Sequence, residues 1–381
     1  DAAAEQLADE LRLSRGDIGP ALVERLRERH QLTVRILPSD VLGNSVRRLD
    51  LHARQLQLSE MLEPGSRVFH VAQQLAMLEQ DEAIRAIAAG PRFGEEASRQ
   101  LFERHLVAYF AAALVMPYGR FLRACDATGY DFPVLMRRFG VSFEQLAHRL
   151  TTLQRVGQRG LPFFMARVDR AGQLSKRFAG ASGATLLESD ATCPLWHVHR
   201  AFERPVELQV QAVLVDGVEG SRDHWLTFSQ VVGAGAGGDA RFAVCLGIEA
   251  RLANELAPAR GVSLRREDAM GIGMGCARCH IPGCRQRSLP PRGASLAFDR
   301  LSLGASPFGF GEQGTGKGPA SWSAERTRPM RNHGNSNARA NSDDVVSTRT
   351  SARAHSDRLA KGWLIMLVML MMAVAMQHWA G

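Results

Sequence analysis

Hydrophobic and polar positions divide the chain into a helical first part and a strand-rich second part. In the first part, apolar residues recur at the three-to-four-residue spacing of helices that bury one face. These stretches are 1–32, which is broken at Gly16 and at Gly19-Pro20, then 67–89, 99–116 and 142–153. Short extended runs at 32–37 and 45–50 predict a small sheet against which such helices pack.

From about residue 161 the pattern changes to short runs of β-branched and aromatic residues bounded by Gly and Asp. The runs that predict strands are 163–168, 206–215, 224–232 and 241–248. The glycine run at 233–238 joins two of these strands, so we interpret it as a loop rather than a phosphate-binding turn, which would open a helix.

The pattern changes again near residue 311. Residues 311–361 are rich in Gly, Ser, Asn, Thr and Arg, and such a composition predicts disorder. Residues 363–376 are fourteen consecutive apolar residues, fewer than the roughly 20 that span a bilayer. This last segment is consistent with a membrane tail anchor, with a docking helix, or with translation past the natural end of the protein.

Composition and charge add two constraints. The chain has 381 residues, 45% hydrophobic and 23% charged, which is an ordinary globular balance. Its net charge is +8, but residues 311–361 hold nine Lys/Arg and five Asp/Glu and so contribute 9 − 5 = +4. The other arginines stand beside glutamates in helical stretches such as 24–29, a pattern typical of a solvated helix face and not of a DNA-contacting surface. The polar first ten residues predict no secretory signal and therefore a reducing cytosol, and a first residue other than methionine suggests a fragment or a processed product.

Three of the six cysteines lie within nine residues, in a loop rich in turn residues. Cys276, Cys279 and Cys284 have a C-x2-C-x4-C spacing that is typical of metal sites. Three soft thiolate ligands favour Zn or an iron–sulfur cluster. The fourth ligand is either His280 within the loop or Cys193. The alternative interpretation is a set of reduced, partly buried free thiols.

Cys193 is a candidate because it supplies a further thiol in a stretch that also holds two histidines. We expect His197 and His199 to alternate along a strand, which would place them and Cys193 on one face.

The run Val107-Ala108-Tyr109-Phe110-Ala111-Ala112-Ala113-Leu114-Val115-Met116-Pro117 resembles the signature that follows the catalytic helix of ImmA/IrrE-type metallopeptidase domains. That family carries an H-E-x-x-H zinc motif on the preceding helix, which here corresponds to 67–78. The motif positions read Gln73, Gln74 and Met77, so both histidine ligands and the general base are replaced. His70 does not restore the motif. His105 is interpreted as a core histidine.

Segments 141–154, 162–164, 167–172, 175–177, 192–196 and 275–291 resemble the short-chain fatty acyl transcriptional regulators. The resemblance covers roughly 1–310. It implies a helical, degenerate zincin-like (ImmA/IrrE) domain at 1–155 and a strand-rich α+β sensor domain with the Cys-rich loop at 156–310. A disordered basic tail at 311–361 and a hydrophobic segment at 362–381 follow. It also implies that an N-terminal helix-turn-helix, absent from this chain, reads DNA, and that the sensor domain responds to acyl-CoA metabolites.

Within that sensor domain, four residues are predicted to bind the acyl-CoA effector. Arg167, Lys176 and Arg177 suit its phosphates or a carboxylate, and Trp196 suits an apolar wall. For each, the alternative is an ordinary core or surface position. The sequence thus predicts a cytoplasmic, homodimeric, non-enzymatic regulator, with a zinc endopeptidase and a membrane-tethered Cys-metal sensor as alternatives.

Overall fold

The helices follow from the apolar stripes of the first part of the chain. The structure is a computed structural model, and it describes residues 1–12, 18–189, 191–216, 222–233, 241–298, 301 and 309–311. The helices in these residues are α1 (Ala2–Glu10), α2 (Ile18–His30), α3 (Ser39–Leu42), α4 (Pro64–Glu79), α5 (Asp81–Ala88), α6 (Glu96–Val115), α7 (Tyr118–Thr128), α8 (Phe132–Phe139) and α9 (Phe143–Thr151).

The structure differs from the prediction at two places in the helical part. Helix α2 runs through Gly19-Pro20. Proline lacks an N–H group, but the N–H groups in the first turn of a helix have no partner within the helix, so a proline there costs no hydrogen bond. The single stretch predicted at 67–89 is two helices, since Gln80 leaves helical geometry with φ −126° between α4 and α5. The predicted break at Gly16 lies outside the described residues.

The strands form a small sheet, a large sheet and two short hairpins. The strands are β1 (Thr33–Leu37), β2 (Arg47–Asp50), β3 (Gln55–Ser59), β4 (Gln154–Arg155), β5 (Gln158–Arg159), β6 (Phe164–Val168), β7 (Leu174–Phe178), β8 (Gln209–Asp216), β9 (Arg222–Val232), β10 (Phe242–Glu249), β11 (Met270–Ile272), β12 (Ser295–Ala297) and β13 (Gly309–Gly311).

The small sheet has the order β1-β3-β2, with β1 parallel and β2 antiparallel to β3. The two edge strands were predicted. The central strand β3 was not, although its buried Leu56 and Leu58 alternate with polar residues.

The large sheet has six strands in the order β11-β8-β9-β10-β6-β7, and its two faces bury different partners. On one face, residues such as Met165, Phe228 and Leu246 join the core made by the helices. On the other face, residues such as Phe164 and Trp225 join a second core made with the irregular segments that follow β7. The alternation of side chains along each strand therefore places the helices on one side of the sheet and the Cys-rich loop region on the other.

The fold is α+β, as predicted, and the described residues all fall within one compact unit, Asp1–Ala320. Residues 234–238 of the glycine run, most of the tail and the hydrophobic segment at 363–376 lie outside the described residues. In the described part, no single helix has the length and apolarity to cross a membrane; α6 and α7, bent by 62°, pass that test only as a pair.

Candidate functional site

A cavity of about 610 Å³ opens between the helices and the edge of the large sheet. Helices α4, α6 and α9 form three of its walls, and β6 and β7 form the fourth. The residues that line it are Ser66, Phe69, His70, Gln73, Leu101, Arg104, His105, Ala108, Ala112, Ser142, Glu144, Gln145, His148, Met165, Arg167, Lys176 and Phe178.

The peptidase-like helix α4 presents a hydrogen-bonded glutamine to this cavity. Oε1 of Gln73 accepts a hydrogen bond from Nδ1 of His70 at 3.0 Å, and burial lowers the pKa of His70, with a smaller contribution from Arg47. Gln74 is buried in the core, and Met77 is exposed on the surface. The three positions that would carry a zinc motif therefore hold two amides and a thioether, none of which is a usual zinc ligand.

Two histidines pack against an aromatic ring on the cavity wall. The ring of His105 stacks on Phe178 at 5.6 Å, and the ring of His148 meets Phe178 edge-on at 4.6 Å. Burial, together with smaller contributions from the positive charges of His105, Lys176 and Arg149, lowers the pKa of His148 to about 4. His105, predicted to be a core residue, is half-buried and lines the cavity, because α6 faces β7 at this point.

Two of the predicted ligand-binding cations meet on the sheet side of the cavity. Arg167 on β6 and Lys176 on β7 are paired across the two strands, so their side chains share a face. Oε1 of Glu144 accepts from both, at 3.3 Å from Nη1 of Arg167 and 2.6 Å from Nζ of Lys176. Nε of Arg167 also donates to Oγ of Ser175 at 3.0 Å, which fixes its guanidinium.

The other two predicted ligand-binding residues do not line this cavity. Arg177 is exposed and, as the neighbour of Lys176 on a strand, points to the opposite face of the sheet. Trp196 is 1% exposed and lies in the second core, beyond the sheet. A large aromatic residue was a weak indication here, because buried rings are more often core than ligand wall.

The predicted cysteine ligands converge only in part. Cys193, Cys279 and Cys284 line a second cavity of about 460 Å³, whereas Cys276 is not among its lining residues. His280, the alternative fourth ligand, is exposed and its ring lies 6.4 Å from Phe310. Within the described residues, no three His, Cys, Asp or Glu side chains are grouped closely enough to hold a metal ion.

The histidines expected near Cys193 are not on a strand. Residues 191–200 form turns, because the segment packs as irregular structure over the second face of the sheet, so the expected alternation of His197 and His199 was wrong. His199 instead has its Nε2 at 2.9 Å from Oγ1 of Thr192.

A buried arginine that the sequence did not single out organises the Cys-rich loop. Arg287 is 6% exposed, and its guanidinium donates to the carbonyl oxygens of Cys279 at 3.0 Å and of Ile281 at 2.9 Å. Its Nη2 also lies 3.7 Å from Sγ of Cys279. One arginine among several in this loop carries no local signal that would single it out.

Glu144 and His148 were also missed. Both belong to α9, whose start is fixed by a capping box in which Ser142 and Gln145 exchange hydrogen bonds. An acidic residue in the first turn of a helix is common, so only the packing of α9 against β6 and β7 reveals that Glu144 faces two cations.

Two family models match consecutive parts of the chain. Residues 27–151 match the model described as IrrE N-terminal-like domain. Residues 152–308 match the model described as short-chain fatty acyl coenzyme A regulator, C-terminal.

Named relatives and a solved structure agree with these models. The HTH-type transcriptional regulators RamB and PrpR of Mycobacterium tuberculosis are 38% and 34% identical, over 81% and 82% of this chain and 65% and 64% of their own lengths. The propionyl-CoA carboxylase regulator of Cereibacter sphaeroides is 36% identical over 66% of this chain and 54% of its own length. A solved structure of a Mycobacterium tuberculosis transcriptional regulator superposes with a TM-score of 0.73 at 34% identity, and the match covers 81% of this chain and 93% of that one.

A peptidase-like helical domain with Gln73, Gln74 and Met77 at its motif positions, followed by a six-stranded sheet and a Cys-rich loop, defines a regulator-type chain. The chain belongs to the short-chain fatty acyl coenzyme A regulator family. It spans less than two thirds of the length of the three named relatives.

Proposed function

We propose that this chain is the effector-binding portion of a transcriptional regulator and that the 610 Å³ cavity binds a short-chain acyl-coenzyme A. The observation that carries the proposal is the meeting of Arg167 and Lys176 on one wall of a cavity that also presents apolar and aromatic side chains. Another segment of the full protein would bind DNA. It would be a helix-turn-helix, the motif that the names of RamB and PrpR include.

The chemistry of the walls suits the two ends of such a ligand. Guanidinium and ammonium groups bind phosphate oxygens through charge-assisted hydrogen bonds. Phe69, Phe178 and Met165 offer the apolar surface that a short acyl chain requires. Ligand binding would then shift the population of a conformation that favours or disfavours DNA binding.

Binding without hydrolysis is part of the proposal. A zinc endopeptidase needs histidine ligands and a base, and a glutamine at position 74 cannot remove a proton from water. The relatives named above are regulators, which supports the same view.

Calorimetric titration of the 381-residue chain with propionyl-CoA tests the proposal. We expect Arg167→Gln and Lys176→Gln each to weaken binding about tenfold to a hundredfold, since a charge-assisted hydrogen bond contributes roughly 1.5–3 kcal/mol. Arg177→Gln is the matched control, because this neighbouring cation on β7 does not line the cavity and should leave binding unchanged. Equal losses in all three variants, or no binding by the unaltered chain, would contradict the proposal.

A second proposal concerns the Cys-rich loop, where Cys193, Cys276, Cys279 and Cys284 would hold Zn or an iron–sulfur cluster. The four cysteines are not assembled into a metal site within the described residues, so metal binding would have to draw the loop together, but two features suit thiolate ligands. A Cβ on Gly273 would lie 2.5 Å from Sγ of Cys279, so the backbone approaches that sulfur closely. Backbone N–H groups of Gly273 and Leu195 donate to Cys193, and they partly offset the burial that raises its pKa.

A metal ion or cluster bound there would crosslink the loop to the sheet. The crosslink would be structural for Zn and redox-sensitive for an iron–sulfur cluster. Anaerobic purification followed by metal analysis and an ultraviolet–visible spectrum tests this. Serine variants of Cys279 and Cys284 should lose the metal, whereas Cys125→Ser, in the helical core, should retain it. A metal-free, folded wild-type chain would remove the proposal.

We also propose a cytoplasmic homodimer, because paired DNA readers match two half-sites about one helical turn apart. Sedimentation of the purified chain tests the dimer, and fractionation with and without residues 363–381 tests membrane attachment. A monomer, or recovery in the membrane fraction, would overturn the respective part.

A further inference from the structure

The carboxylate of Glu144 lies where an anionic ligand group would bind. A single oxygen, Oε1, accepts from both Lys176 at 2.6 Å and Arg167 at 3.3 Å. A ligand oxygen that bridged the two cations would occupy the same place. The two cations of the proposed effector site are therefore already paired with an internal anion.

The pairing is held in position from both sides. Glu144 lies in the first turn of α9, where the helix dipole favours a carboxylate and where the capping box of Ser142 and Gln145 fixes the backbone. Arg167 is held by Ser175 and by the ring of Phe242, 4.3 Å from its guanidinium carbon. Only Lys176, with a side chain 42% exposed, retains much freedom.

The net charge of the whole cavity lining favours a polyanion over a single carboxylate. Three Lys or Arg side chains and one acidic side chain line the cavity, a balance of 3 − 1 = +2. A ligand carboxylate that displaced Glu144 would only replace one carboxylate by another. A phosphate group brings more charge and more acceptor oxygens, so its exchange with Glu144 is favourable.

We propose that Glu144 is a specificity-determining residue that reserves Arg167 and Lys176 for phosphate-bearing ligands and excludes free short-chain carboxylic acids. This inference rests on the proposed effector site and adds how that site distinguishes an acyl-coenzyme A from the acid it contains. Binding requires that Glu144 leave both cations, so the first turn of α9 responds directly to the ligand.

Titrations of wild type and Glu144→Gln with propionyl-CoA, propionate and inorganic pyrophosphate test the inference. We expect Glu144→Gln to bind propionyl-CoA and pyrophosphate about tenfold more tightly, a factor within the usual range of coupling between groups. We also expect it to acquire measurable propionate binding that the wild type lacks. The gain should disappear when Arg167→Gln is added, because the freed cation is then missing.

Glu103→Gln is the matched control. Its carboxylate is 25% exposed, against 23% for Glu144, and is paired with Arg99 at 2.7 Å, but it does not line the cavity. Unchanged affinities are expected for this variant.

The outcomes separate the two proposals. If wild type binds propionyl-CoA and Glu144→Gln binds it equally or more weakly, the inference fails and the proposed function stands. If wild type does not bind propionyl-CoA, the proposed function fails, and the pyrophosphate titrations of the two proteins alone decide the inference. Tighter pyrophosphate binding by Glu144→Gln supports it, and equal or weaker binding overturns it.

Discussion

His148 should make the folded chain sensitive to mild acid. Its ring is enclosed by Phe178 and His105, and burial lowers its pKa from 6.5 to about 4. The folded state therefore binds this proton less readily than the unfolded state. The stability that depends on a neutral His148 is fully present above pH 6.5, and it is lost as the pH falls from 6.5 toward 4.

The magnitude follows from those two values. Each tenfold difference in proton affinity corresponds to about 1.4 kcal/mol. With a pKa of 6.5 unfolded and about 4 folded, the loss reaches about 2 kcal/mol at pH 5 and at most about 3 kcal/mol below pH 4.

Urea unfolding at pH 7.5 and at pH 5 measures the effect. The variant His148→Leu removes the titrating group and keeps a similar side-chain volume. Between pH 7.5 and pH 5, the free energy of unfolding of this variant should therefore fall by about 2 kcal/mol less than that of the wild type. His52→Leu, at an exposed histidine in the turn between β2 and β3, is the control. An equal pH dependence in wild type and His148→Leu would refute the reasoning.

Two further substitutions test packing described above. A Cβ on Gly247 would lie 2.2 Å from the ring of its cross-strand partner Phe164, so Gly247→Ala should destabilise the chain by about 1–3 kcal/mol in urea unfolding. Phe164→Leu should relieve that cost, and an equal cost in both backgrounds would contradict the steric explanation. Arg287→Met should speed modification of Cys279 by a thiol reagent, because the guanidinium holds the loop around this buried sulfur. The exposed Arg285→Met is the control, and equal rates in both variants would show that Arg287 does not protect the loop.

Local patterns predicted most of the elements, and packing decided the remainder. The strands β6, β8, β9 and β10 were visible as runs of β-branched and aromatic residues at strand spacing, bounded by Gly and Asp. Strand β3 also alternates, in Gln-Leu-Gln-Leu-Ser, but it is short and lacks β-branched residues, so it was missed. The expected strand at 197–199 failed because two histidines at alternating positions say little about backbone pairing.

The site was predictable where it depends on residue type and not where it depends on contacts distant in sequence. Arg167 and Lys176 were selected as cations of the sensor domain, and their pairing across β6 and β7 places both on the cavity wall. Arg177 could not be distinguished from Lys176 without the strand register. Glu144 contacts residues 23 and 32 positions away, a relation that no local pattern contains.

The position of β7 at the edge of the large sheet has a consequence for self-association. Among the described strands, β7 pairs only with β6, so its other edge offers unpaired backbone groups to a second chain. Charged side chains on an edge strand oppose such intermolecular pairing. Lys176 and Arg177 supply that protection on opposite faces of the strand, while Lys176 also faces the cavity. Neutralising either residue therefore lowers the barrier to aggregation through this edge, independently of any effect on ligand affinity.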